Sequence, residues 1–381
     1  HRQLSVPGTC GVGYNSIRFD DEVTRYALYR NFFDPYQREW KNGNSRWDIM
    51  DMLRLTRALR PESIEWPDHE PGRPSFKLEH LTAANGLAHE AAHDALSDVT
   101  ATIAVAKLVK DKQPRLFDYV VNMRSKKALG EMLNLSDRRP FFHNSGMLPR
   151  AHMYGAIMMP LAQHPTNSNG IICIDLSFDP EVLIKLSPEE IAHRVFTSSE
   201  ALGDNEARIP LKVVHINKTP VVTTHKLIDE AAAKRLDIDV QRCELHWQRL
   251  SQINFSSKLA AVFNSQSFPE KPEAEQRLYN GFLPNGDKHL LEEVRQASCE
   301  DLTDHRFHFS DERYNQLLFS YRARYFNDSL SDQERSVWTE NCRWRLTDEK
   351  SGYLTMEQPG AEIAQLLAGE GLSVEKIAIL E

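Results

Sequence analysis

GYNSIRFDDEVTRY, residues 13–26, joins an apolar segment to a helical pattern. The preceding residues 6–14 predict a strand that ends at Asn15, and residues 20–31 predict a helix. One face of this helix carries Val23, Ala27 and Leu28. A strand that leads directly into a helix indicates an α/β domain, in which polar groups at the carboxyl ends of the strands form the active site.

Further helices are predicted before residue 112. Ser45 is typical of a helix cap, and the apolar side of that helix would carry Ile49, Met50, Leu53 and Leu55. Prolines at positions 61, 67, 71 and 74 then indicate an irregular connection. Residues 77–84 predict a helix that stops at Asn85-Gly86, and residues 93–111 predict another. The apolar residues of this last helix are Ala101, Ile103, Ala104, Ala106, Leu108 and Val109.

The pattern changes after residue 140. Residues 170–176, 211–217 and 220–224 predict strands, which indicates a smaller, β-rich domain. From about residue 228 the pattern is helical and charged. Residues 374–381 are periodic and apolar but have no cap, so we expect the sequence to be cut at that end.

The composition favours a soluble protein of a reducing cytoplasm. The chain has 381 residues, 41% of them hydrophobic, and its five cysteines are scattered. Its net charge of −8 argues against a wholly basic, nucleic-acid-binding surface. Any nucleic-acid site would therefore be a local basic groove. Each basic cluster can equally be an ordinary solvent-exposed face. The clustered residues are Arg115, Arg124, Lys126, Lys127, Arg138, Arg139, Arg322 and Arg324.

Three side chains suit metal-dependent phosphodiester chemistry. Asp20 would lie where a strand ends and a helix begins, although an acid there also serves as an ordinary helix cap. His93 and Asp98 are five positions apart, so on one helix they would face neighbouring directions. A carboxylate can hold a hard cation, and an imidazole can take a proton from water. The alternative is a polar helix start with no catalytic role.

A second motif overlaps the same residues. His89-Glu90-Ala91-Ala92-His93 matches H-E-x-x-H, in which two histidines bind Zn²⁺ and the glutamate is the base of a metallopeptidase. A third ligand is needed, and the extended motif has Leu96 and Val99 where it would require glycine and histidine. The third ligand could instead be a distant glutamate, and Glu131 is the nearest one downstream. A zinc peptidase is therefore a weaker alternative.

In their order along the chain, these motifs resemble those of the exodeoxyribonuclease I family, a branch of the DnaQ-like 3′→5′ exonucleases. The resemblance extends along essentially the whole chain. It rests on residues 13–26 and 29–36, and further on residues 44–48, 58–62, 74–81, 84–86, 92–95, 98–99, 113–119, 160–162, 202–205, 214–218, 278–282 and 321–324.

The resemblance implies three domains that together clamp single-stranded DNA. Residues 1–112 would form an α/β, RNase H-like exonuclease domain that lacks its first strands. Residues 113–265 would form an SH3-like β-rich domain, and residues 270–381 part of a helical domain. The family also implies a monomer that binds the acidic C-terminal tail of a single-strand-binding protein.

The resemblance also assigns catalytic roles. The family uses four acids and one histidine to hold two Mg²⁺ ions and to release 5′-mononucleotides, in DNA repair and recombination. By motif, Asp98 would be a direct metal ligand, and Asp20 would support the metals through water. His93 would deprotonate the attacking water.

The family opens with a strand that carries Asp-x-Glu, and this chain begins after it. Asp20-Asp21-Glu22 and Asp68-His69-Glu70 also match the pattern Asp-x-Glu. Neither is predicted to lie on a strand at the place in the chain where the family has it. We therefore expect roughly 85–95 residues, and two acids, to be missing, and the polypeptide to be inactive by itself. The alternative function is a non-catalytic module that binds single-stranded DNA or a partner.

Contacts with DNA are predicted in the same way. In each case the alternative is core packing or a surface ion pair. Aromatic rings would stack on bases and cations would meet phosphates. The candidates are Lys77, Arg25, Tyr36, Trp40 and Arg54, with Arg139, Arg322 and Arg324 as groove-lining residues of the other domains.

Overall fold

A computed structural model describes residues 1–70, 72–88, 94–203, 206–266, 271–303 and 306–368. The chain divides into two compact units. The first unit contains His1–Asp21 and Gln37–Ser267, and the second contains Glu22–Tyr36 and Phe268–Glu381. No helix within the described ranges is both long and apolar enough to cross a lipid bilayer.

Two short parallel strands begin the first unit. Strand β1 (Cys10–Gly13) pairs with β2 (Ser45–Asp48), and helix α1 (Asp20–Arg30) lies between them in sequence. Strand β1 is shorter than the predicted strand at residues 6–14. The prediction that Ser45 caps a helix is wrong. Ser45 starts β2, and Asp48 caps α2 (Ile49–Leu59) by accepting a hydrogen bond from the amide of Met50.

Helices and a small hairpin complete the α/β part of this unit. The helix predicted at residues 77–84 is present one residue shorter, and Gly86 ends it with a positive φ of 63°. The helix predicted from residue 93 begins at Ala95. Ile103, expected on its apolar side, is exposed. The elements are β3 (Asp68–Glu70), β4 (Arg73–Pro74), α3 (Leu78–Ala84), α4 (Ala95–Lys112), α5 (Pro114–Met123) and α6 (Lys126–Met132).

A five-stranded antiparallel sheet forms the rest of the first unit, in the order β8-β7-β6-β5-β9. It confirms the β-rich pattern that the sequence predicts after residue 140. Its strands are β5 (Phe141–Asn144), β6 (Gly155–Gln163), β7 (Gly170–Asp175), β8 (Leu211–His215) and β9 (Val221–Thr224). Helices α7 (Pro180–Lys185), α8 (Pro188–Phe196), α9 (Glu230–Leu236), α10 (Val240–Ser251) and α11 (Ser256–Asn264) accompany them.

One continuous core joins the α/β part to the sheet. The side chains of Trp47 and Leu53 belong to the same buried cluster as those of Phe142, Ile157 and Ile174. A second, smaller cluster packs α6 against the other side of the sheet. A domain boundary near residue 113 therefore stays a prediction, because the hydrophobic core is not interrupted there.

The second unit is helical, and α1 supplies part of its core. From Glu22 onward α1 groups with the C-terminal helices. Tyr29 and Phe32 are fully buried there against Phe309 and Tyr314. The sequence places this segment in the first domain, because local periodicity predicts a helix but not the core that it joins. The helices are α12 (Leu290–Gln296), α13 (Cys299–Thr303), α14 (Glu312–Tyr325), α15 (Asp332–Thr347) and α16 (Glu357–Ala368).

Two basic residues of α14 are engaged inside this unit. Arg322 is buried, forms an ion pair with Glu334 and donates to the carbonyl oxygen of Ser329. Arg324 forms an ion pair with the buried carboxylate of Glu275. The suggestion that this pair lines a groove is therefore not supported, because both guanidinium groups already have internal partners.

Replacing Phe32 with alanine tests the anchor role of the segment that follows α1. Phe32 has no exposed surface, so its loss leaves a cavity that we expect to lower the free energy of unfolding of the second unit by about 3–5 kcal/mol. Phe282→Ala is the matched control, since that ring is 80% exposed. Chemical denaturation of both variants measures the effect. Equal stabilities would show that Phe32 is not an anchor.

Candidate functional site

The turn after β1 is held by a buried carboxylate. Asp48, at the end of β2, accepts hydrogen bonds from the backbone amides of Asn15 (2.9 Å), Ile17 (3.3 Å) and Met50 (3.0 Å). Asn15 adopts a left-handed conformation with a φ of 57°, which asparagine tolerates better than most residues. Asp48 thus fixes the turn that leads to Asp20 and also caps α2.

Asp48 is only 5% exposed, and this burial changes its acidity. Burial raises the pKa of Asp48 to about 6, and the neighbouring carboxylate of Asp51 adds to the rise. The three backbone amides oppose it, because they stabilise the charged form. The carboxyl group is therefore held in place at a cost in free energy, which is common at functional sites.

The two acids that open α1 face different surroundings. Asp20 is exposed, whereas Asp21 is buried between Arg38 (2.8 Å) and Arg46 (2.5 Å). Glu39 completes this buried cluster at 3.2 Å from Arg46. Removing Asp21 would leave the two buried cations, Arg38 and Arg46, with the single carboxylate of Glu39 between them. Asp21 therefore anchors the start of α1 and leaves Asp20 in solvent.

Helix α4 presents Asp98 in its first turn. Asp94 caps the helix by accepting a hydrogen bond from the amide of Ser97 (3.0 Å), and Asp98 is partly buried. The helix begins at Ala95, and the predicted pairing of His93 with Asp98 involves a residue outside the described ranges, so it stays a prediction. His93 lies outside the described residues, as does the whole motif at residues 89–93.

The described residues do not by themselves form a metal centre. Within these ranges, no three His, Cys, Asp or Glu side chains come together in a way that could hold a metal ion. Asp20 and Asp98 do offer the oxygen donors that Mg²⁺ prefers, each at the start of a helix. They fit as contributors to a metal site rather than as a complete one. The hairpin strand that carries Asp68 and Glu70 is short and exposed, and it does not join the β1–β2 pair.

The predicted DNA contacts of the first unit differ in accessibility. Trp40 is 64% exposed, and the side chain of Lys77 is 57% exposed with only a long ion pair to Glu79 (3.9 Å). Arg54 is largely covered, since it forms an ion pair with Asp51 and its guanidinium lies over the rings of Phe76 and Tyr154.

The two candidates of the second unit are in contact with each other. Arg25 is 3% exposed, forms an ion pair with Glu22 and lies over the ring of Tyr36 at 5.8 Å. Tyr279 donates a hydrogen bond to the same Glu22. In this structure Arg25 and Tyr36 support their own unit, and a role in contacting DNA stays a prediction.

The sequence pattern proposes Asp20 and Asp98 as site residues but does not single out Asp48. Asp48 has no distinctive spacing, and its role arises only because β2 pairs in parallel with β1 and places Gly13 opposite it. The sequence did offer one signal: Asp48 stands directly before the first apolar residue of the helix, and aspartate is as good an N-cap as serine.

Three family models match the chain in succession. Residues 1–106 match the model described as Exonuclease, residues 124–265 match the Exonuclease I SH3-like domain, and residues 272–381 match the Exonuclease I C-terminal domain. The order and kind of these domains are those that the sequence motifs imply.

Curated relatives agree along the full length. Exodeoxyribonuclease I of Haemophilus influenzae is 41% identical over 382 residues, which cover 100% of this chain and 80% of the relative.

Solved structures show the same fold. Exonuclease I from Methylocaldum szegediense matches with a TM-score of 0.91 and 44% identity. Escherichia coli exonuclease I in complex with a dA16 oligonucleotide matches with a TM-score of 0.91 and 40% identity. An ExoI/SSB-Ct complex matches with a TM-score of 0.88 and 39% identity. Each comparison covers 100% of this chain and 80% of the other.

Replacing Asp48 with asparagine tests the buried carboxylate through pH. The pKa of Asp48 is higher in the folded protein than in the unfolded chain, so ionising this carboxyl group destabilises the folded state. The free energy of unfolding therefore falls as the pH rises from about 4 through about 6. An asparagine carries no such charge. We expect the variant to gain up to about 3 kcal/mol relative to the parent between pH 4 and pH 7.

Free energies of unfolding at several pH values measure this shift. Asp94→Asn, which changes an exposed helix cap in the same way, corrects for the loss of a capping carboxylate. A constant difference between parent and Asp48→Asn across this range would contradict the assignment.

Proposed function

The chain belongs to the exodeoxyribonuclease I family, and from this premise we propose that its site serves a Mg²⁺-dependent 3′→5′ exonuclease that releases 5′-mononucleotides from single-stranded DNA. The observation that carries the proposal is the full-length likeness, 41% identity with 100% of the chain covered, to proteins of that name. The similar structure that contains a dA16 oligonucleotide supports the choice of substrate.

The exposed carboxylate of Asp20 and the partly buried carboxylate of Asp98 are the proposed metal-binding groups. Divalent metal ions bound there would stabilise the charges that develop on the attacking and leaving oxygens. His93 is the proposed base, because an imidazole titrates near neutral pH and can accept the proton of the attacking water. Asp48 acts on Asp20 indirectly, by holding the turn that precedes it.

Single-stranded DNA would reach this site by contacting exposed side chains of the first unit. Trp40 offers an exposed ring on which a base can stack, and Lys77 offers an exposed ammonium group for a phosphate. Weak stacking and phosphate contacts let a strand advance without release, which favours processive digestion. The body of the protein is acidic, so these contacts would form a local groove.

A protein partner is proposed on the same basis. The ExoI/SSB-Ct complex, a structure similar to this chain, supports binding of the acidic tail of a single-strand-binding protein. Such a contact would bring the enzyme to single strands exposed during DNA repair and recombination. A cytoplasmic, monomeric enzyme fits this role.

Activity of the 381-residue polypeptide is a separate question. The family resemblance asks for four acids and a histidine, and Asp20, Asp98 and His93 supply three of these five groups. We therefore expect the polypeptide to bind single-stranded DNA but not to shorten it. A non-catalytic module that binds single-stranded DNA or a partner is the second candidate function for the polypeptide.

A labelled single strand tests this proposal. Incubated with the 381-residue chain and Mg²⁺, the strand should be retained at its original length, while a polypeptide that also carries the Asp-x-Glu strand should shorten it from the 3′ end. In that longer polypeptide His93→Ala should slow digestion about 10²–10⁴-fold, the range for loss of a general base. Gel electrophoresis and identification of the released nucleotide measure both results.

Retention without shortening by the longer polypeptide would leave only the binding module. Neither retention nor shortening, together with one tightly held Zn²⁺ per chain, would favour the peptidase suggested by residues 89–93. Digestion from the 5′ end would contradict the proposal even if the strand were shortened.

A further inference from the structure

Two histidines meet between the small hairpin of the first unit and the helix that follows it. His69 lies on β3, and His80 lies on α3. The centres of their rings are 5.1 Å apart, and the ring planes are inclined at 70° to each other. Because the two residues belong to different elements, neither a strand spacing nor a helical spacing reveals the pair.

The separation of the rings suits a shared metal ion. Zn²⁺ binds imidazole nitrogen at about 2.0–2.1 Å and favours tetrahedral geometry, which places the centres of two bound rings about 5 Å apart. Edge-to-face packing of two rings gives a similar separation. The hydrogen bonds of each ring therefore decide between a packing contact and a metal site.

The hydrogen bond of His80 leaves its second nitrogen available. Nδ1 of His80 lies 2.8 Å from the hydroxyl of Ser75, which is fully buried. When Nδ1 donates its proton to this hydroxyl, Nε2 carries a free lone pair. A metal-binding histidine typically donates through its other nitrogen in this way, because the bond fixes the tautomer and the direction of the ring. Ser75 is thus placed to hold His80 in the form that binds a metal ion.

His69 offers the second nitrogen. It is exposed, and within the part of the chain that the structure describes its ring contacts His80 and forms no hydrogen bond. Its nitrogens are therefore accessible to an ion that His80 also binds. Among the described residues no third His, Cys, Asp or Glu completes a cluster, so water would fill the remaining coordination positions.

The charges around the pair are balanced. Three neighbouring carboxylates each have a basic partner, so no excess of positive charge repels a cation. These ion pairs are Asp68 with Arg57, Glu70 with Arg73, and Glu79 with Lys77. Two neutral imidazoles favour Zn²⁺ over Mg²⁺, which prefers oxygen ligands. The pair therefore differs in chemistry from the acids that are proposed to hold Mg²⁺.

We propose that His69 and His80 bind one Zn²⁺ ion, which joins the β3–β4 hairpin to α3. Each element supplies one ligand, so the ion acts as a cross-link between them. Lys77, a proposed DNA contact, is the N-cap residue of the same helix, and the ion would hold the hairpin against that helix. Neither histidine belongs to the proposed catalytic set, so zinc binding here is independent of the exonuclease function.

Calorimetric titration with Zn²⁺ in the presence of excess Mg²⁺ measures the site. His69→Ala should weaken zinc binding at least about 100-fold, because losing a ligand costs more than the roughly 10–100-fold typical of losing an outer partner. Ser75→Ala, which removes such a partner, should weaken it about tenfold. His69→Cys should retain binding, since a thiolate is also a zinc ligand. His289→Ala is the matched control, since His289 is exposed and lies 4.0 Å from Glu293.

Hydrogen exchange shows where the ion binds. Zinc should slow the exchange of the backbone amides of residues 68–70 and 72–73 in the unaltered chain, because cross-linking to α3 restrains the hairpin. In His69→Ala the same amides should exchange equally fast with and without zinc. The exposed position of His69 makes loss of folding in this variant easy to distinguish, since exchange in α3 reports it.

Equal zinc affinity in the unaltered chain and in His69→Ala would overturn the proposal, as would the absence of zinc binding to the unaltered chain. Zinc that binds without slowing exchange in the hairpin would overturn it too. Zinc that His69→Ala keeps and His89→Ala loses would belong to residues 89–93. The two rings would then be an edge-to-face packing contact.

Discussion

The buried carboxylate of Asp48 is the constraint on which the site depends. It links three backbone segments through one side chain: the turn after β1, the end of β2 and the first turn of α2. Burial makes its ionised form costly, and the raised pKa expresses that cost. In return, Asp48 holds the turn before Asp20 in one conformation, although that turn contains the left-handed residue Asn15.

The adjacent acids Asp20 and Asp21 lie in different surroundings, one exposed and one buried. Asp21 is enclosed by Arg38 and Arg46, so the start of α1 is tied to β2 by a buried ion cluster. Arg46 also donates to the carbonyl oxygen of Asn217 (2.5 Å), which ties the same cluster to the loop after β8. Asp20 itself stays exposed to solvent. A family of enzymes that must place carboxylates accurately benefits from such support, since small displacements of catalytic groups are costly.

The sequence predicted the elements whose signals are local. The helix that opens at Asp20, the glycine stop at Gly86 and the β-rich region after residue 140 are all present. It failed where the outcome depends on tertiary pairing. Ser45 has the composition of a cap, but parallel pairing with β1 draws it into a strand. Arg322 belongs to a basic cluster in sequence, yet it is buried with an internal partner.

A crystal structure of the chain bound to a short oligothymidine is the most direct test of the central claim, that the acids and the histidine serve one cavity on single-stranded DNA. The account predicts the 3′-terminal phosphodiester of the strand beside Asp20, His93 and Asp98, with all three side chains facing the same space. A strand bound elsewhere, or Asp20 separated from the start of α4 by intervening protein, would contradict it.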